Sequence, residues 1–281
     1  MQIIDGRAVR DSILAKVKQR IAALPFKPLF CDVLVGDNDV SAQYVRMKDR
    51  IAESMGLKVV HGVFPGTITT EELIKELKRL GSLQNMAGLI VQLPLPLSID
   101  TRAVLDAIPP NVDVDATGKV SSELFYAGKA NYLFPTAAAS VTLLDSLDLD
   151  LSKKKIVVVG RGMLVGRPVA HLLTSRGLEV ATVDRDTPNP EEIFKSADVI
   201  ITGVGKSKLI NGSNIKKGVV IIDAGTSESN GSIVGDVDRE TVEPLAGALS
   251  PVPGGVGPVT VSMLMQNVVL SAERQLGGYG R

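Results

Sequence analysis

The sequence predicts an α/β protein of two α/β domains, the second a Rossmann-like parallel sheet. Short β-rich runs alternate with helical stretches along nearly the whole chain, which implies parallel sheets covered on both faces. A second such alternation opens near residue 150, where an apolar run ends in three closely spaced glycines. The length of 281 residues suits about two domains of roughly 150 residues each.

The elements follow in order. Val9, Ile13, Leu14, Val17, Ile21 and Leu24 recur at helical spacing, and Pro25 and Pro28 stop that helix. Residues 30–35 read as a strand, closed by turn chemistry in Gly36, Asp37 and Asn38. Asp39–Met55 reads as a helix with Gly56 at its C-terminal end. A strand over 59–63, a helix over 70–80 and a strand over 87–92 come next, then short helices over 103–108 and 135–147. The second block has strands over 155–159, 179–183, Val199–Thr202 and 219–222, with helices over 165–175 and 191–196. A Gly/Pro-rich turn at 251–258 leads into a closing helix from 259. The expected domains are 1–147, joined by the C-terminal helix 259–281, and 148–258.

Composition excludes several chemistries. Lys+Arg and Asp+Glu are both 31, and a chain without net charge is not a dedicated nucleic-acid binder. The single Cys31 cannot form an internal disulfide. His61 and His171 cannot build a multi-histidine metal site, so no metal is expected. No apolar run approaches ~20 residues, so no membrane partner is expected. The N-terminal segment lacks a signal-peptide pattern, which makes a cytoplasmic location the expectation.

Six segments carry chemistry. Gly160, Gly162 and Gly166 lie between a strand and a helix, where glycines let the backbone approach a pyrophosphate and the helix N-terminus offers N–H donors. The next strand ends in Asp184, Arg185 and Asp186. An acid there would hold a ribose diol of NAD, whereas Arg185, with Arg161, would meet the 2′-phosphate of NADP. On the helix Asp39–Met55, Val40, Tyr44, Met47, Ile51 and Met55 share one arc, with Lys48 at its edge and Asp49 opposite. Lys48 is then either a lysine snorkelling at the core margin or a partly desolvated amine placed for acid/base work beside Tyr44. Gln92 ends a buried strand on the side where parallel sheets bind ligands, and the stretch 250–260 suits a backbone wall against a flat ligand. Asp113 and Asp115 read either as turn residues or as ligand contacts.

The segments YVRMKDR, GLIVQLPLP, VDVD, VVVGRGMLVGRP, ADVIITGVGK and SPVPGGVGPVT span residues 44–260. With them the chain resembles the bifunctional methylenetetrahydrofolate dehydrogenase/methenyltetrahydrofolate cyclohydrolase family. The resemblance implies two α/β domains with a cleft between them, and a homodimer formed through the nucleotide domains. It implies oxidation of a tetrahydrofolate derivative with NADP, or NAD as the alternative, followed by hydrolysis to 10-formyltetrahydrofolate. It makes Lys48 the centre of the cyclohydrolase step, with Tyr44 beside it, Gln92 hydrogen-bonded to it and Asp115 holding the pterin. It lines the folate site with Leu93, Pro94, Pro253, Gly254 and Gly255. It assigns the cofactor to Gly160, Arg161, Gly162, Gly166, Arg185, Thr226 and Thr260. The chain departs from the family pattern at 135–140, Gly162, 225–227 and Ala116, mostly on the cofactor side. Two other readings are a dehydrogenase without cyclohydrolase activity and a non-catalytic nucleotide- or folate-binding protein.

Overall fold

The computed structural model describes residues 1–229 and 232–278. In chain order the elements are β1 (Gln2–Ile3), α1 (Gly6–Ala22), β2 (Leu29–Val35), α2 (Asp39–Met55), β3 (Lys58–Phe64), α3 (Thr70–Gly81) and β4 (Met86–Val91). There follow α4 (Thr101–Asp106), α5 (Lys119–Tyr126), α6 (Pro135–Asp145), β5 (Ile156–Val159), α7 (Gly166–Thr174), β6 (Val180–Val183) and α8 (Pro190–Ser196). The chain continues through β7 (Val199–Thr202), β8 (Val220–Asp223), β9 (Ser227–Ser229), β10 (Ser232–Val234), α9 (Arg239–Val242), β11 (Ala248–Leu249) and α10 (Val256–Gly278). The closing helix expected to reach 281 is described to 278; residues 279–281 lie outside the described residues.

The chain divides into two compact units. One holds Ser12–Leu133 and the chain from Leu264 onward; the other holds Met1–Asp11 and Phe134–Met263. The sequence boundary near 148 and the observed one at 133/134 differ by α6, which packs on α7 and β8. The first residues also belong with the second sheet, because β1 pairs with β11 and Gly6 N donates to Gly254 O at 3.1 Å.

The unit around Ser12–Leu133 has a three-stranded parallel sheet ordered β3-β2-β4. The first crossover, through α2, leaves β2 on one side, and the second, through α3, returns to its other side. The switch point therefore lies between the carboxyl ends of β2 and β4, where ligands bind in such sheets. Phe30, Ala52, Leu57, Ile90 and Val114 pack with Leu264, Met265, Val268 and Val269 of α10 in one core.

Helix α2 begins where the Asn38 side chain accepts from Ser41 N at 2.8 Å, and ends at Gly56, whose φ of 100° is left-handed. Its orientation corrects the expected apolar arc. The buried positions are Ser41, Val45 and Ala52, whereas Val40 and Met47 are exposed. The small side chains of Ser41 and Ala52 lie on the buried face, and of the expected arc Ile51 and Met55 pack at the core margin while Val40 and Met47 are turned to solvent.

The other unit has a six-stranded parallel sheet ordered β1-β11-β8-β7-β5-β6. Its crossovers depart to opposite sides between β5 and β7, as in doubly wound nucleotide-binding sheets. Val157, Val159, Ile200 and Ile221 are buried in its core, which explains their near-continuous apolar runs. The short strands β1, β9, β10 and β11 and the helices α5 and α9 are additions to the sequence-based reading.

Candidate active site

Lys48 lies mid-way along α2, one turn after Tyr44, and its ammonium reaches the switch point of the three-stranded sheet. Nζ donates to Gln92 Oε1 at 2.8 Å. Gln92 directly follows β4, with its own N donating to Val33 O at 2.8 Å and its Nε2 to Leu93 O at 2.8 Å. The backbone thus fixes the amide, and the amide aims the amine. Leu93 precedes Pro94 through a cis peptide bond.

Sequence reasoning missed the closest partner of Lys48. Asp32 Oδ2 stands 2.6 Å from Nζ, and the Asp32 side chain is fully buried. Burial raises the Asp32 carboxyl above its usual range, with Lys48 opposing that rise. The detectable signal was a lone acid inside the apolar run Phe30–Val35, because a buried carboxylate without a partner is costly. Asp49, expected on the far side of α2, is part-buried near Asp32 and His61. Burial and then Asp32 push its carboxyl up to about 6. The apolar surroundings expected for Lys48 are therefore replaced by acids.

Asp115 joins the same group: burial raises its carboxyl to about 6, with Lys48 opposing and Asp113 and Asp32 adding. Asp113 itself accepts from Thr117 N at 3.2 Å and Gly118 N at 2.9 Å, so it holds the turn and leaves Asp115 to the site. Tyr44 is half-buried, and burial raises its phenol, which stays protonated at neutral pH. The structure brings Lys48, Gln92 and Asp115 together, with Tyr44 on the same helix.

The remaining site residues lie in the other unit. Pro253 follows a cis peptide bond and Gly254 has φ 112°. Gly255 N donates to Pro251 O at 2.7 Å. A Cβ on Gly6 would fall 1.8 Å from Gly255 O, so the wall is tightly tied to the start of α1. Gly160 directly follows β5 with φ 100°, and a Cβ on Gly166 would lie 2.0 Å from Gly160 O. This loop, opening into α7, is a cradle whose backbone N–H groups suit a pyrophosphate. Gly162 borders open space.

Arg161 and Asp184, expected to serve opposite cofactor choices, pair with each other at 3.3 Å, and Arg161 also donates to Thr182 Oγ1 at 3.1 Å. Arg185 is exposed, 3.7 Å from Asp186. Thr226 is exposed between β8 and β9. The Thr260 hydroxyl donates within its own helix to Val256 O at 3.1 Å. Sequence reasoning also passed over two buried acids behind this loop region. Asp223 accepts from Gly225, Asp236 and Val237 N–H groups at 2.9–3.1 Å, and burial raises it to about 7. Asp236 accepts from Thr202 Oγ1 at 2.6 Å, Val204 N at 2.7 Å and Lys206 N at 2.8 Å.

Family models match both parts of the chain. Residues 4–115 match the catalytic domain of tetrahydrofolate dehydrogenase/cyclohydrolase, and residues 135–276 match its NAD(P)-binding domain. The chain belongs to the tetrahydrofolate dehydrogenase/cyclohydrolase family. Among the family's curated members, the bifunctional protein FolD of Lacticaseibacillus paracasei is 38% identical over 98% of this chain and 99% of that protein. FolD of Methanospirillum hungatei is 37% identical over 99% of each. Among solved structures, the bifunctional FolD enzyme of Campylobacter jejuni superposes with a TM-score of 0.93 at 32% identity, covering 98% of this chain and 99% of that one. The Trypanosoma brucei enzyme, solved with NADP cofactor and inhibitor, gives 0.92 at 33% identity over 98% of both chains.

Proposed function

We propose that this protein oxidises 5,10-methylenetetrahydrofolate with NADP and hydrolyses the 5,10-methenyl product to 10-formyltetrahydrofolate. The observation that carries this reading is the Lys48 amine held by Gln92 at 2.8 Å at a ligand-binding switch point, in a chain of this family. The unit around Ser12–Leu133 is the folate-binding catalytic unit, and the other unit binds the nucleotide.

The residues suit each task. Gly160, Gly162 and Gly166 would hold the pyrophosphate of NADP at the start of α7, with Arg161 and Arg185 toward the 2′-phosphate. Thr226 and Thr260 complete that set. NADP, when bound, accepts the hydride. Asp115 accepts hydrogen bonds from the amino-pyrimidinone edge of the pterin, and Leu93 and Pro94 line the flat ligand. Tyr44 positions the pterin or relays a proton.

The acid excess around Lys48 favours a positive charge on the methenyl carbon, because Asp32, Asp49 and Asp115 face a single ammonium. Once Lys48 has given up its own proton, its neutral amine takes one from the attacking water. Asp184 supports a second reading of the cofactor. Its carboxylate at the end of β6 suits the ribose diol of NAD, and the Thr187 hydroxyl, its strongest influence, holds it ionised.

A homodimer and a cytoplasmic location belong to the same proposal. β6 is an edge strand, and its unpaired backbone groups offer a second copy a place to pair. Among the described residues, no helix is long and apolar enough to cross a membrane.

The test is a pair of spectrophotometric assays, one for each step, run with NADP and with NAD. Lys48→Met should abolish hydrolysis of the methenyl compound while NADP binding persists. Wild-type hydrolysis in that variant would refute the role given to Lys48.

A further inference from the structure

The Lys48–Asp32 contact has a chemical consequence. An ammonium has no lone pair, so Lys48 cannot take a proton from water while it remains the cationic half of an ion pair. Asp32 is buried on β2, and neither of its oxygens accepts a well-aligned hydrogen bond from a described residue. Lys48 Nζ, at 2.6 Å, is therefore the group placed to exchange a proton with it. Inside a protein, two opposite charges with few other partners can lower their energy by becoming a neutral acid and a neutral amine.

We propose that Asp32 is a positioning residue that stores the Lys48 proton and so frees the lone pair of Lys48 for the cyclohydrolase step. This rests on the role assigned to Lys48 above. The proton moves from Lys48 Nζ to Asp32 Oδ2, leaving a neutral amine and a neutral acid. Water adds to the methenyl carbon, forming a C–O bond, and one water proton passes to the amine. The Lys48 ammonium donates that proton to N5 as the C–N5 bond breaks, and takes the remaining hydroxyl proton as the carbonyl forms. The excess proton then leaves to solvent, and the couple returns to its starting form. The overall step consumes one water and releases one proton.

The groups facing Asp32 are compatible with such storage. From α2 come Lys48 and Asp49, from the paired position on β3 comes His61, and from the segment before α5 comes Asp115. The two neighbouring acids disfavour a third full negative charge, and burial acts in the same direction. Gln92 completes the arrangement by holding the amine whichever form it takes, since its Oε1 can accept from either an amine or an ammonium.

Asp32→Asn keeps the shape but cannot store the proton. The expected result is a fall of at least about tenfold in cyclohydrolase kcat beyond any change in the dehydrogenase step, with KM for the methenyl compound within about threefold. The acid limb of the cyclohydrolase pH profile should also move. Thermal melting of the variant establishes that it is folded. A proton inventory of the wild-type enzyme in mixed light and heavy water gives a second measurement that needs no variant, and it should be curved, because two protons move. A wild-type rate and unchanged pH profile in Asp32→Asn, or a linear inventory, overturns the role of Asp32. Lys48→Met separates the two levels: its retained turnover would remove the underlying reading, whereas its loss alongside an unaffected Asp32→Asn removes only this inference.

Discussion

Gln92 Oε1 accepts from Lys48 Nζ at 2.8 Å while its Nε2 donates to Leu93 O at 2.8 Å. One side chain thus ties the amine of a helix to the end of a strand. Gln92→Ala removes a hydrogen bond to a charged group, an interaction of about 1.5–3 kcal/mol. Cyclohydrolase turnover should fall roughly 10- to 100-fold by the loss of methenyl absorbance. Full activity in this variant would mean that Lys48 is aimed by other contacts.

The part-buried acid Asp49 makes stability depend on pH. Its carboxyl sits at about 6 in the folded chain, against about 3.9 when unfolded. The folded state therefore holds this proton more tightly. The stabilising contribution is complete below the unfolded value and is lost as pH rises through about 6. Asp49→Asn should stabilise the protein at pH 8 by about 1 kcal/mol, a figure already reduced for solvent screening. That corresponds to a Tm gain of roughly 2–4 °C, with little change near pH 3.5. Equal gains at both pH values would rule out relief of buried charge as the cause.

The close approach at the glycine loop gives a sharper test. A methyl group on Gly166 would fall 2.0 Å from the Gly160 carbonyl oxygen, and backbone cannot yield as a flexible side chain does. Gly166→Ala should weaken NADP binding at least about tenfold by titration calorimetry, through displacement of the loop. Gly162→Ala, where no atom lies within 4 Å, should fold normally. Comparable folding losses in both would contradict this geometry.

Arg161 is engaged by Asp184 at 3.3 Å, so the two residues compete in cofactor choice. Asp184→Ser removes the acid suited to a ribose diol and releases Arg161 toward a 2′-phosphate. The ratio of kcat/KM for NADP over NAD should rise by about tenfold. An unchanged ratio would place the discrimination elsewhere.

Much of this was legible in the sequence because the patterns were local. The limits of α2 were readable from Asn38 and Gly56, and the glycine spacing after β5 marked the nucleotide loop. Gln92 was legible as a polar residue at the end of an apolar strand. The orientation of α2 was not, because Val40 and Met47 of its apolar arc are exposed while Ser41 and Ala52 are buried. A periodicity count cannot reveal which face a neighbouring sheet selects. Asp32 stayed hidden for a related reason: its partner lies 16 positions away on another element, and only the fold brings the charges together. The two-residue strands β1 and β11 carry too little pattern to be read at all.

Helices α1 and α10 each contribute residues to both compact units. Neither unit is therefore an uninterrupted stretch of chain. During synthesis the three-stranded sheet emerges early, yet its core includes Leu264, Met265, Val268 and Val269. At ribosomal rates of about 5–20 residues per second, that face waits for roughly ten seconds or more before its covering helix arrives. The nascent chain thus exposes an apolar surface for most of its translation, a period in which a holding chaperone would be of most use.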